Sequence, residues 1–146
     1  IYCRPICPVR IPKKENVQLY RSAASAFEAG FRPCLRCRPE SSPGTPAWIG
    51  SPYKVSKALH LIARGNLDRS SVDELAEQLS IGPRQLSRLF QQYVGASPIA
   101  VAQTQRLHFA KKLLDETNLP LSQVCFAAGF GSVRRFNAVF QSTYAR

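Results

Sequence analysis

The chain has 146 residues and a formal net charge of +11, from 20 Lys and Arg against nine Asp and Glu. This length suffices for one ordinary domain or two small ones, and the basic excess predicts a polyanionic partner. No apolar run approaches the ~18 residues that a membrane helix needs, and no signal-peptide pattern is present, so we expect no membrane association. Because the chain contains no Met, we also expect it to be a piece of a longer protein.

The first informative feature along the chain is its cysteine spacing. Four of the five cysteines lie near the start as two close pairs, Cys3 with Cys7 and Cys34 with Cys37. Two such pairs brought together by a loop predict a tetrahedral site with one zinc ion per chain. Disulfides are the alternative, but they would leave Cys125 unpaired, so we favour thiolate–metal bonding in a reducing cytoplasm.

Composition divides the chain in two. Residues 1–40 are too few for a self-sufficient core, so we expect a small zinc-stapled α+β domain, with one short helix over Ser22–Ala29. A Pro- and Gly-rich stretch predicts a linker at 41–52. Residues 53–146 have the pattern of an all-α domain, which makes the fold mainly α.

Helix signals recur throughout the second part. Ser51-Pro52 opens a helix with Val55, Leu59 and Ile62 on one face. The later start signals are a capping box at Ser71–Glu74, Gly82-Pro83, Ser97-Pro98, Leu121 and Ser132. We predict that the last four of these helices end at Gly95, near Asn118–Pro120, at Ala128 and at Phe140.

Two of these helix pairs form an internal repeat. The segment from Leu75 to Phe90 matches that from Val124 to Phe140, with an offset of 49 residues at the start and 50 at the end. Each copy is a helix, a tight turn and a second helix, which is the pattern of a helix-turn-helix. Cys125 takes the place of Ala76, so we interpret it as a small buried packing residue.

The second helix of each copy has a polar face opposite its apolar stripe. At 100° per residue this face can reach base edges, and two such helices about one DNA turn apart could read adjacent major grooves. A solvated polar face is the alternative interpretation. The candidate DNA contacts are Arg84, Arg88 and Gln91 in the first copy, and Arg134, Arg135 and Gln141 in the second.

Two groups of motifs resemble known families. The repeat, with Ala127-Ala-Gly-Phe-Gly-Ser followed by Phe136, resembles the AraC-type DNA-binding domain. Residues 1–40 are similar to the zinc domain of the Ada family, which takes methyl groups from DNA phosphotriesters. The matching stretches there are Tyr-Cys-Arg-Pro-Ile-Cys, Glu15-Asn-Val and Ala29-Gly-Phe-Arg-Pro-Cys-Leu-Arg-Cys-Arg-Pro.

The Ada resemblance implies a single-turnover methyltransferase. Cys3 would accept the methyl group irreversibly, and all four paired cysteines would hold the zinc. The methylated form would bind its promoter more tightly and activate repair genes with RNA polymerase, as a monomer in a bacterial cytoplasm. Independently of the family, Cys3 lies outside the tight Cys34–Cys37 knuckle, whose backbone N–H groups would quiet its sulfurs. Arg4, Arg36 and Arg38 would dock the DNA backbone.

Two alternatives stay open at this point. The chain could be an AraC-type regulator whose zinc is purely structural, since structural four-cysteine sites are common. It could also be the regulatory part of a DNA-3-methyladenine glycosylase fusion, because its end, from Phe130 to Phe140, resembles relatives that continue into such a domain.

Overall fold

The computed structural model describes residues 1–5, 7–37, 39 and 53–144. The predicted linker at 41–52, together with Arg38, lies outside these residues. A 3₁₀ turn covers Lys14–Asn16. The helices are α1 (Ala23–Glu28), α2 (Tyr53–Ala63), α3 (Asn66–Arg69), α4 (Val72–Gln78), α5 (Pro83–Tyr93), α6 (Pro98–Glu116), α7 (Leu121–Ala127) and α8 (Val133–Tyr144).

The mainly α fold predicted from the sequence is confirmed. In the described part of the N-terminal segment, the β component amounts to one parallel bridge between Tyr2 and Pro33. No helix among the described residues has the length and apolar character to cross a membrane. The fold is therefore a small N-terminal segment with little regular structure, followed by a series of helices.

Helix starts follow the capping signals of the sequence. Ser71 and Glu74 form the predicted capping box on α4, and Ser22 forms another with Ser25 on α1. Ser97 Oγ accepts the Ala100 N–H at 3.1 Å at the start of α6. Ser132 Oγ likewise accepts the Arg135 N–H at 3.3 Å before α8. These side chains satisfy donors that the first turn of a helix leaves free.

Two features differ from the predicted elements. The one-turn helix α3 is absent from the prediction, because it has no periodicity of its own and begins after Gly65, whose φ is 82°. Helix α8 continues past Phe140 to Tyr144. Its last turn is held by the tilted rings of Phe140 and Tyr144, whose centroids are 4.6 Å apart, and by the buried residue Thr143.

The helices build two separate hydrophobic cores on the long helix α6. We call α4 with α5 the first unit and α7 with α8 the second unit. The first core joins the first unit, α2, the start of α6 and Ala24 of α1, with Val55, Leu59, Leu86 and Phe90 fully buried. The second core lies at the other end of α6 and contains Ala110, Val124, Cys125, Ala128, Phe130 and Phe136. The predicted burial of Cys125 is confirmed.

Candidate metal centre and nucleic-acid interface

The four paired cysteines lie together in space. Their sulfur atoms are all within 4.8 Å of one another, and Cys7 Sγ is 3.8 Å from Cys34 Sγ. A tetrahedral zinc ion with Zn–S bonds of about 2.3 Å needs sulfurs about 3.8 Å apart. The donor set and its spacing therefore fit one zinc ion, which would bind all four sulfurs.

Backbone hydrogen bonds bring the two cysteine pairs side by side. The Tyr2 N–H donates to Arg32 O at 2.8 Å, and the Cys34 N–H donates to Tyr2 O at 3.0 Å. The Cys7 N–H closes a turn on Arg4 O at 3.1 Å. These bonds place the segment that starts at Tyr2 directly beside the Cys34–Cys37 knuckle, although the two are far apart in the chain.

The sulfurs differ in exposure and in hydrogen bonding. Cys34 and Cys37 are buried, Cys7 is partly buried and Cys3 is exposed. Burial acts to raise the pKa of Cys34, but the N–H groups of Cys37 and Arg36 donate to its sulfur and bring the pKa down to about 7. Burial raises the pKa of Cys37 even though the Arg4 N–H donates to its sulfur at 3.4 Å. Backbone donors thus act on the knuckle sulfurs.

Cys3 has a different environment. Desolvation, followed by hydrogen bonds with the Cys34 and Cys7 sulfurs, raises the pKa of its thiol above the ordinary value. Four crowded sulfurs cannot all ionise unless a cation compensates their charge, which is what thiolate coordination to zinc provides. Cys3 combines this strong need for a counter-charge with exposure to solvent.

The arginines around the cluster have separate roles. Arg36 is exposed beside the knuckle and is free to meet a phosphate. The guanidinium of Arg4 instead donates to Cys37 O, and its Nε is buried with no hydrogen-bond partner. Arg4 therefore braces the cluster, and its predicted contact with DNA stays a prediction. Arg38 lies outside the described residues.

The metal cluster is anchored to the helical part of the chain. The Tyr2 hydroxyl hydrogen-bonds to Nε2 of His108 on α6, with ring centroids 5.9 Å apart. Burial lowers the pKa of His108 to about 4, so the imidazole is neutral at pH 7. The segment carrying Cys3 is thus tied to the helix shared by both cores.

Helix α1 provides a second anchor. Ser22 Oγ donates to Val94 O at 2.8 Å, and the Arg21 guanidinium donates to Gln92 O at the end of α5. Gly95, with φ 73°, allows this approach, since a Cβ there would lie 3.3 Å from Ser25 Cβ. These bonds satisfy carbonyls at the C-terminal end of α5, which helix geometry leaves free.

The two candidate recognition helices present the predicted faces. In α5, Leu86 and Phe90 are buried while Arg84, Arg88 and Gln91 are exposed. In α8, Phe136 is buried, and Arg134, Arg135 and Gln141 are exposed. The structure thus leaves all six candidate side chains open to a ligand, and their contact with DNA stays a prediction.

Comparison with known families agrees with both parts of this geometry. Residues 1–40 match the family described as the metal binding domain of Ada, and residues 75–146 match a helix-turn-helix domain family. The chain joins an Ada metal-binding domain to an AraC-type helix-turn-helix domain. The four clustered cysteines all lie within the Ada metal-binding domain, which identifies its cofactor as zinc.

Similar proteins carry the same two domains. The chain is 51% identical, over 94% of its length, to the probable bifunctional transcriptional activator/DNA repair enzyme AlkA of Mycobacterium tuberculosis, of which it covers 28%. It is 30% identical to the bifunctional transcriptional activator/DNA repair enzyme AdaA of Bacillus subtilis, over 97% of the chain and 64% of that protein. The chain therefore spans only part of these relatives.

Solved structures support the AraC-type fold. An AraC-type transcriptional regulator from Chromobacterium violaceum aligns with a TM-score of 0.56 and 31% identity, over 64% of this chain and 83% of that one. The C-terminal domain of AraT, a response regulator from Geobacillus stearothermophilus, gives a TM-score of 0.62 at 24% identity, over 66% and 81%. The second match concerns the fold alone.

Sequence reasoning missed the residues that join the parts of the molecule. Tyr2 and His108 are 106 positions apart, and no local pattern pairs them. Arg106 and Asp68 form an ion pair between α6 and α3 that no periodicity indicates. Both contacts exist only once distant segments have packed together, so no signal within a few turns of chain could have located them.

Proposed function

We propose that this chain repairs DNA methylphosphotriesters by taking the methyl group onto Cys3, and couples that step to sequence-specific DNA binding. The observation that carries this proposal is that Cys3 is the exposed sulfur of the four-cysteine cluster. Support comes from the Ada metal-binding domain and from relatives named as DNA repair enzymes. The proposed domain division is 1–40, a linker at 41–52, and 53–146.

The proposed reaction is a direct displacement at carbon. The Cys3 sulfur attacks the methyl carbon, an S–C bond forms, and the C–O bond to the phosphate breaks. The departing oxygen keeps the electron pair, so the product is an ordinary phosphodiester anion and a thioether. When bound, zinc keeps all four sulfurs as thiolates at neutral pH. Exposed Arg36 stands beside the cluster to bind the phosphate that becomes anionic.

The same step changes the charge of the cluster. A zinc ion with four thiolates carries a charge of about −2, and conversion of one to a thioether leaves about −1. One unit charge about 8 Å from a phosphate in water is worth about 0.5 kcal/mol. Three nearby phosphates give roughly 1.5 kcal/mol before salt screening, which is about tenfold in affinity. Methylation would thus tighten promoter binding without a large change of shape.

Transfer from labelled DNA tests this proposal. The chain with zinc is incubated with a duplex carrying labelled methylphosphotriesters, and the peptides are then mapped. We expect one label per chain, on the peptide that contains Cys3, with no turnover beyond that. No label on a folded, zinc-loaded chain would leave a regulator with a purely structural zinc. Label on another cysteine would overturn the assignment of Cys3.

Arg134→Ala tests base reading by α8. Arg134 is exposed on the face opposite the buried Phe136, and loss of one base contact costs about 1–3 kcal/mol at the specific site. We expect that loss in a gel-shift titration, with relaxed preference at one base position. Arg64→Ala removes an exposed cation outside both recognition helices and is the control. If Arg134→Ala keeps the native footprint and affinity, α8 does not read bases.

The remaining parts of the proposal concern partners. Double-stranded DNA offers both the methylated phosphate and the promoter site, and two reading helices in one chain suit a monomer bound to it. RNA polymerase is the proposed protein partner at the promoter. Sedimentation of the chain on a promoter duplex, with and without polymerase, gives the stoichiometry directly.

A second candidate function is the regulatory part of a glycosylase fusion. It is favoured by the relative named AlkA, a DNA repair enzyme of which the chain covers 28%. The reading frame after Arg146 decides it: an open frame encoding a glycosylase domain supports this candidate, and an in-frame stop removes it.

A further inference from the structure

The two DNA-reading units share one helix but not one core. The first core ends at the start of α6, and the second begins at Ala110 near its other end. Because each unit packs on its own stretch of α6, the angle between α5 and α8 depends on that helix and on any contact that bridges the units. One such bridge is present, and it is built from a single carboxylate.

The carboxylate of Asp68, on α3, packs against the turn of the second unit. A Cβ built on Gly129 would lie within 2.7 Å of all three carboxylate atoms of Asp68. Contacts below 3.0 Å do not occur for real Cβ atoms, so the carboxylate occupies the space that a side chain at 129 would need. A Cβ on Gly65 would also lie 2.8 Å from Asp68 Oδ2. The carboxylate is therefore enclosed between two glycines, one from each end of the helical domain.

Arg106 holds this carboxylate in place. Its Nε donates to Asp68 Oδ1, and its Nη2 donates to Leu67 O at 2.6 Å. The side chains of Arg106 and Asp68 are 21% and 27% exposed. Arg106 lies on α6 between the two cores. Its two hydrogen bonds, to Asp68 and to Leu67 O, therefore connect α6 and α3 at the point where Asp68 meets the second unit.

The internal repeat allows the turn at residue 129 to be compared with its counterpart in the first unit. The matching position in the first unit is Ser80, which has φ 54°, while Gly129 has φ 86°. A non-glycine residue therefore takes the left-handed conformation at this turn in the first unit. At Gly129 the larger φ already strains a side chain, and the close approach of the Asp68 carboxylate adds a second reason for glycine that the first unit lacks.

We infer that Asp68, held by Arg106 against Gly129, fixes the angle between the two units and so selects the spacing of the two DNA half-sites. One added base pair between half-sites moves the second by about 3.4 Å and rotates it by about 35° around the duplex. A rigid bridge makes that displacement costly, because the units cannot turn to follow it. This inference rests on the proposed sequence-specific binding of DNA.

The first test measures the angle without DNA. Residual dipolar couplings of the zinc-loaded chain give the relative orientation of α5 and α8 in the native protein and in Asp68→Ala. We expect a changed orientation or averaged couplings in the variant, with couplings inside each unit unchanged. Glu77→Ala is the control, since it removes an exposed carboxylate that lies on α4 within the first unit. An unchanged angle in Asp68→Ala overturns the inference whatever the DNA results are.

The second test measures spacing preference. Duplex sites are selected from a random-sequence library by the native chain, then remade with one base pair added or removed between the half-sites. We expect Asp68→Ala to lose about fivefold on the native spacing, as for a partly buried ion pair, and to discriminate less between spacings. Asp68→Asn keeps the packing without the charge, so its affinity and spacing preference should lie between those of the native chain and of Asp68→Ala. This variant also tests the inference if Asp68→Ala fails to fold.

The outcomes distinguish a failure of this inference from a failure of the proposed sequence-specific DNA binding. If the native chain selects no site, sequence-specific binding fails, while the dipolar-coupling result stands by itself. If a site is selected and both Asp68 variants keep the native spacing preference, the inference fails and the proposed function does not. Gly129→Ser gives a last check: it should weaken binding in the native background and recover part of the loss beside Asp68→Ala, because the clash is then gone.

Discussion

We expect Cys3→Ala to reduce methyl transfer from a DNA methylphosphotriester to the uncatalysed background. Cys3 is exposed, whereas Cys34 and Cys37 are buried and receive backbone hydrogen bonds. A buried sulfur with N–H donors is both harder to reach and less nucleophilic, so no other thiolate should replace it. Transfer of label to the protein, followed by peptide mapping, measures the effect.

Two further variants separate the loss of the acceptor sulfur from a loss of zinc or of folding. Cys3→His retains four potential zinc ligands, so its zinc content and unfolding should stay near native while transfer is lost. Cys125→Ala removes a thiol that is fully buried in the second core, and it should transfer normally. Transfer by Cys3→His, or its loss in Cys125→Ala, would contradict the assignment.

Removal of zinc should unfold the N-terminal segment while leaving the helical part folded. The buried side chains described in residues 1–39 are small: Ala24, Ala26, Pro33, Cys34 and Cys37. Such a segment cannot bury enough apolar surface to fold alone, and structural zinc supplies about 10–16 kcal/mol in comparable small domains. Chelation should therefore abolish transfer and broaden the amide resonances of this segment.

The helical part offers the internal reference for this experiment. Its two cores contain no zinc ligand, so the amide resonances of α4 to α8 should persist after chelation. The affinity for DNA should fall only by the contribution of the metal domain. Added zinc should restore methyl transfer and the amide resonances of the N-terminal segment. Retained transfer after complete zinc removal would contradict the thiolate mechanism. Collapse of the whole helical signal would contradict the expectation that the helical part stays folded when the N-terminal segment unfolds.

The sequence was most informative where the relevant physics is local. Close cysteine pairs, capping boxes and 3.6-residue periodicity involve neighbours in the chain, and the predicted Ser71 box, the buried Cys125 and the cysteine cluster are all present. The polar faces of α5 and α8 followed from helix geometry alone. These features were predictable because each is specified within a few turns of chain.

The features that were missed depend on contacts between distant segments. Tyr2 meets His108 on another domain, and Asp68 meets Gly129 across two cores. The hydrogen bond from the Arg4 guanidinium to Cys37 O was also not predicted, because it joins residues 33 positions apart. Helix α3 was missed because a helix of one turn is too short to show a hydrophobic periodicity. Side-chain pairing across the molecule depends on the tertiary arrangement, which no local pattern specifies.

Because Tyr2 hydrogen-bonds to His108 and α1 hydrogen-bonds to the end of α5, Cys3 is joined to the helices that carry the candidate DNA contacts. Under the proposed function, the chain could present Cys3 only to strand positions at a fixed distance from the sequence that it binds. Damage elsewhere would have to be found before the chain commits to a promoter. Damage search and promoter binding would then be successive states of one molecule. The irreversible alkylation of Cys3 would separate the two.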